Sequence, residues 1–291
     1  MYTNSLFEEF SDDFAAVPVF DPALLGDENP TADLLKKIFS CIDLTSLKTT
    51  DSSNSIETFC EKVVDFSKTF PDMPNVAAVC VYPVFASILT TKLKELPVKR
   101  AVVSACFPSS QTFLETKTDE CKRAVYFGAN EVDIVISAGE FLEGNYEFVA
   151  EEIASVKRVI GNALLKVILE TGVLDTNENI WKASLLAMEA GADFIKTSTG
   201  KLEPAATPQA AWIMTHAVRA FSQRRKRMVG FKPAGGIASV DEALIYWRIQ
   251  EKVLGEKWLT PEFFRIGASR LANNLLSAIA ELEGKQPVKW F

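Results

Sequence analysis

The chain has one histidine, His216, and no Cys-x-x-Cys pair among its five cysteines, Cys41, Cys60, Cys80, Cys106 and Cys121. That scarcity argues against a zinc site. The odd count fits reduced thiols rather than a disulfide framework, and a cytoplasmic protein is the simplest expectation. No apolar run reaches the ~20 residues a membrane helix needs, so no membrane partner is expected. The opening segment "MYTNSLFEEFSDDF" lacks the basic start and apolar run of a signal peptide. The balance of charge is acidic, at −7, which argues against a nucleic-acid partner. The one basic run, Arg224-Arg225-Lys226-Arg227, reads as a solvated helix end. No G-x-G-x-x-G follows the first apolar run, which weakens a dinucleotide-binding reading.

What is present is a repeating alternation. Within 291 residues, 48% of them hydrophobic, eight short apolar runs stand out, at 41–45, 76–82, 101–107, 131–137, 164–170, 193–198, 228–232 and 263–268. The segments between them have helical apolar spacing, as in Ile56, Phe59, Val63 and Phe66. Thr207 followed by Pro208 reads as an N-cap with proline at the first helical position, and Ser239 to Glu242 as a capping box. Strands alternating with helices imply a parallel sheet covered on both faces. Eight such units fit a single (β/α)8 TIM barrel, an α/β fold over 31–291, with an open doubly wound sheet as the alternative. Residues 1–30 form an acidic N-terminal extension carrying Phe7, Phe10, Phe14 and Phe20, expected to pack on the surface or to help join two copies.

In a barrel the chemistry lies at the C-terminal ends of the strands. Those ends carry Asp43 and Thr45, Cys80, Asp133, Lys166 and Glu170, Lys196 and Lys232. Asp43 and Thr45 share a face because side chains alternate along a strand. Buried charges are costly unless paired, so charges interrupting apolar runs on five strands call for a purpose. Two lysines on neighbouring strands, Lys196 and Lys232, allow one to carry charge while the other stays a free amine. Such an amine attacks a carbonyl to form a Schiff base, and a carboxylate such as Asp133 can move protons. The loops "TSTGK", "KPAGG" and "GAS" follow the last three strands, where barrels commonly bind phosphate. Gly235, Gly236 and Ser269 suit that task. His216 lies in an amphipathic segment and reads as an ordinary helix residue.

These residues resemble the deoxyribose-phosphate aldolase family of class I aldolases. The matching stretches are "CIDLT", "VCVYP", "EVDIVI", "LKVILETG", "GADFIKTSTGK", "VGFKPAGGI" and "FRIGAS", spread over nearly the whole barrel. The resemblance implies reversible cleavage of 2-deoxy-D-ribose 5-phosphate to D-glyceraldehyde 3-phosphate and acetaldehyde. It makes Lys196 the Schiff-base lysine, Lys232 the lysine that lowers its pKa, and Asp133 the proton relay. Asp43, Thr45, Cys80 and Lys166 would meet the sugar. Thr199, Gly200, Lys201, Gly235, Gly236, Ser269 and Arg270 would hold the phosphate. No metal and no organic cofactor is expected.

Three departures leave room for variation. Arg270 stands where the family often has a second small hydroxyl residue. Ser110 stands where a glycine is expected after Phe-Pro-x. The tail "PVKWF" lacks the tyrosine some members place near the site. Two rivals therefore stay open: a Schiff-base aldolase for another aldehyde, and a sugar-phosphate-binding barrel without catalysis. No surface patch identifies an interface, so a homodimer is left open.

Overall fold

The computed structural model describes residues 2–27 and 29–291; Met1 and Glu28, both within the acidic extension, lie outside the described residues. Eight strands form one sheet: β1 Ile42–Thr45, β2 Ala78–Val81, β3 Lys99–Val103, β4 Glu131–Val135, β5 Leu164–Ile168, β6 Phe194–Lys196, β7 Gly230–Lys232 and β8 Ile266–Ala268. All neighbouring strands are parallel, in the order β7-β6-β5-β4-β3-β2-β1-β8. Two bridges, Phe231 to Phe264 and Ala234 to Gly267, join β7 to the β8 segment and close the ring. The fold is the expected (β/α)8 barrel, not the open sheet.

Among the described residues there are twelve α-helices: α1 Tyr2–Glu9, α2 Ser11–Ala15, α3 Ala32–Ser40, α4 Ser53–Thr69, α5 Ala86–Leu93, α6 Leu114–Tyr126, α7 Ala138–Leu142, α8 Tyr146–Ile160, α9 Asn177–Glu189, α10 Pro208–Arg225, α11 Val240–Leu254 and α12 Arg270–Leu282. Both helix starts expected from sequence form. The Thr207 hydroxyl accepts from the Ala210 amide (3.1 Å), with Pro208 at the first helical position. Ser239 and Glu242 exchange capping bonds of 3.2 and 2.8 Å. His216 is buried on α10, where its Nδ1 lies 2.9 Å from the Trp212 carbonyl.

The extension packs along the outside of the barrel, with α1 against α8 and α9. Phe10 is fully buried, with the guanidinium groups of Arg224 and Arg225 5.0 and 5.4 Å from its ring centre. Arg224 donates to Asp13 (2.6 Å), and Arg225 donates to Glu9 (2.8 Å) and Glu189 (2.9 Å). Arg227 donates to the Met188 and Ala192 carbonyls. Arg224 and Arg225 thus clamp the extension, whose Asp13 and Glu9 supply counter-ions that the charge of the run did not reveal, while Arg224 and Lys226 are exposed as expected of a solvated helix end.

Inside the barrel the two halves differ. Ala78, Cys80, Ala101 and Val103 form a small apolar cluster from β2 and β3. The opposite side carries the charges. This asymmetry sets where a polar substrate can reach.

Candidate active site

Strand parity and closure bring seven charged side chains together. Asp43 (β1), Glu131 and Asp133 (β4), Lys166 (β5), Lys196 (β6), Lys232 (β7) and Arg265, just before β8, are each at most 4% exposed. Register places Asp133 beside Lys166, and Lys196 beside Lys232. Lys166 touches three carboxylates: Glu131 at 2.6 Å, Asp133 at 3.0 Å and Asp43 at 3.5 Å. Lys232 touches two, Asp43 at 2.5 Å and Asp133 at 2.8 Å. Lys196 touches only Asp133, at 2.9 Å. Arg265 forks between Asp43 (2.6 Å) and Glu131 (2.8 Å).

This network holds three carboxylates and four basic side chains. A buried cluster is least costly when its charges cancel. Balance therefore requires one basic group to be neutral. Lys196 is best placed to be that group, because it has the fewest carboxylates. Burial, and then the charge of Lys232, hold its amine below the usual lysine range against the pull of Asp133. Burial would also lower Lys166 and Lys232. Their carboxylate partners outweigh it and hold both above the usual range. Asp133 is buried too, yet Lys166, Lys196 and Lys232 keep its carboxyl well below the usual carboxylate range. Burial and the Asp133 charge push the Cys80 thiol up to about 11, so it is neutral near pH 7.

Above this layer a cavity of about 250 Å³ opens at the C-terminal end of the strands. Its walls include Thr45, Lys196, Thr199, Gly200, Lys201, Gly235, Gly236, Ser269 and Arg270. Those nine match the expected set. Asp43, Asp133, Lys232 and Cys80 lie in the layer beneath, in or beside the charge network. Lys166 was grouped with the sugar-binding side chains, but it lies wholly in that lower layer, where three carboxylates occupy its ammonium.

The rim has backbone and helix-end features that suit an anion. Gly200 and Gly235 have φ of +73° and +93°, and a Cβ on Gly235 would come within 3.1 Å of the Gly200 Cα. Only glycine lets these two loops approach so closely. Among the described residues the amides of Gly200 and Gly236 have no hydrogen-bond partner, while Gly235 follows the Ala234 bridge to Gly267. Ser269 and Arg270 begin α12 at the cavity wall, so the positive end of a helix dipole faces the same space. Arg270 is exposed there, and the Lys201 ammonium donates to the Leu47 carbonyl (2.7 Å) across the mouth.

The departures from the family pattern are also located. Ser110 has φ of +59°, the left-handed region that favours glycine, and its buried hydroxyl donates to the Val135 carbonyl (2.9 Å). The tail folds back onto the barrel. Asn273 holds the backbone of Trp290 and Phe291, and Phe291 packs against Phe66 with ring centres 5.2 Å apart. Phe291 also lines a groove beside Arg270.

Sequence reasoning did not single out Glu131 or Arg265. Glu131 lies two residues before Asp133, and Arg265 two before Gly267, so each has the parity of an inward position.

The family model described as DeoC/LacD family aldolase matches residues 38–268. The chain is 41% identical over 251 residues to deoxyribose-phosphate aldolase of Homo sapiens, covering 83% of this chain and 79% of that protein. It is 38% identical over 251 residues to the protein of that name from Agrobacterium fabrum, covering 86% of this chain and 92% of the other. The crystal structure of a putative deoxyribose-phosphate aldolase from Coccidioides immitis is similar at a TM-score of 0.75 and 26% identity, covering 94% of this chain and 96% of that one. With its barrel, its buried lysines and these relatives taken together, the chain belongs to the DeoC/LacD aldolase family.

Proposed function

We propose that this aldolase cleaves 2-deoxy-D-ribose 5-phosphate reversibly to D-glyceraldehyde 3-phosphate and acetaldehyde, with Lys196 as the Schiff-base lysine. The observation that carries the reading is one amine, Lys196, at the wall of a cavity whose rim suits a phosphate, sharing Asp133 with the charged Lys232. The neutral amine adds to the aldehyde carbon of the open-chain sugar, and loss of water with uptake of one proton from solvent gives an iminium. The iminium restores a fourth positive charge to a cluster with three carboxylates. Loss of the C3-hydroxyl proton to solvent breaks the C2–C3 bond, the electrons enter the iminium, and the glyceraldehyde phosphate leaves. The product enamine is neutral, so cleavage relieves the excess charge. The enamine then takes a proton at C2. Asp133 is held ionised, so that proton starts on the Lys232 ammonium and passes along the Asp133 carboxylate. Hydrolysis frees acetaldehyde and returns the amine, and the proton it releases restores the Lys232 ammonium.

Thr45 and the Asp43 layer border the sugar end of the cavity, and the Gly200, Gly235 and Gly236 amides with Ser269 and Arg270 take the phosphate. Relatives named deoxyribose-phosphate aldolase support the substrate. Acetaldehyde release, followed through an alcohol-dehydrogenase couple, tests it. Deoxyribose 5-phosphate should be turned over at least ~10-fold more efficiently than deoxyribose, as expected when a bound phosphate contributes binding energy. No acetaldehyde from either sugar would overturn the reading.

A further inference from the structure

Glu170 is a carboxylate placed close to a rim that should bind an anion, where its charge alone would hinder. It is 3% exposed and has left-handed backbone, φ +54° and ψ +58°. Such a conformation is uncommon for a residue with a long side chain and persists only where the surroundings enforce it. They do so here. On either side of it, the Leu169 amide donates to the Lys196 carbonyl (2.9 Å) and the Thr171 amide to the Thr197 carbonyl (3.0 Å). The ladder between the β5 and β6 segments thus continues past Glu170 while Glu170 itself is turned out of it.

Both carboxylate oxygens are taken up by one residue. Oε1 accepts from the Thr199 amide (3.2 Å) and Oε2 from the Thr199 hydroxyl (2.5 Å). The same hydroxyl oxygen accepts from the Lys201 amide (3.0 Å). Gly200, between them, sits against Gly235. The loop after β5 also touches the far end of this loop: a Cβ on Gly172 would come within 2.0 Å of the Pro204 carbonyl oxygen. A chain of contacts therefore runs from the β5 loop through Thr199 to the glycine pair. The carboxylate accepts on both of its oxygens, one from the N–H and one from the O–H; an amide in its place would accept on its oxygen alone and turn an NH2 donor toward the other partner.

We infer that Glu170 is a positioning residue for the phosphate: it fixes Thr199, and through it the Gly200 amide, so that the rim favours phosphorylated over unphosphorylated substrate. The inference rests on the proposed function. Its test compares kcat/KM for deoxyribose 5-phosphate and for deoxyribose in the wild type, Glu170→Gln and Thr199→Val. The variants should lower the ratio of the two at least tenfold, mainly through KM for the phosphorylated sugar. An unchanged ratio in folded variants overturns the inference, and so does an equal fall on both sugars, which would mark general damage. A wild-type ratio near one would instead overturn the phosphate reading of the rim. Should Glu170→Gln fail to fold, Glu170→Asp, which keeps the carboxylate but shortens its reach to Thr199, decides the matter by the same ratio.

Discussion

Among the three buried lysines, the number of carboxylate partners orders the amines. Lys166 has three, Lys232 two and Lys196 one, and only Lys196 is held below its ordinary range. Replacing Lys232 by Met removes a like charge and leaves Asp133 seeking a cation. Both changes favour protonated Lys196. The acidic limb of kcat/KM should then move to higher pH, with activity at pH 7 falling ~100-fold or more, as a pH–rate profile would read. Lys196, Lys232 and Asp133 were legible because each interrupts an apolar run at a strand end. Glu131 and Arg265 were not, because parity declares a charge inward only once the strand's face is known. Lys166 shows the converse: a strand-end position says that a side chain points in, not how deep it lies.

At the scale of elements, all eight strands were legible as apolar runs, but the runs overstate the ladder. Of the run 101–107 only Ala101, Val102 and Val103 lie in β3, since Ala105 and Cys106 take φ of +58° and +59° as the chain leaves the sheet. Periodicity records burial, and burial continues where pairing stops. The extension teaches a related point. Its phenylalanines announced packing, but its partner run of arginines was separated by about two hundred residues and read as solvated. Phe10→Ala removes the side chain that both guanidinium groups cover. Loss of a fully buried phenylalanine typically costs about 3–5 kcal/mol. Urea unfolding of the variant should show a loss toward the lower end, since a peripheral helix can settle into the space, together with earlier protease cleavage within α1.

For the whole molecule, closure decides the chemistry. The alternation of strands and helices fits an open sheet equally well, and no local feature of sequence distinguishes the two. In an open sheet Lys232 on β7 and Arg265 beside β8 would lie at opposite edges. Closed, they share Asp43 through bonds of 2.5 and 2.6 Å. Charges scattered over five strands and the approach to another become one network of three acids and four bases, with a single amine left over. The family resemblance supplied the proposed roles; the network gives a physical reason for assigning the nucleophile to Lys196 and not to Lys166 or Lys232.

Borohydride reduction tests that claim most directly. The protein would be incubated with deoxyribose 5-phosphate, reduced, digested and mapped by mass spectrometry. The account predicts one reduced adduct, on the peptide containing Lys196, and none on Lys166 or Lys232. An adduct on either of those lysines, or none on a folded protein that still cleaves the sugar, would contradict it.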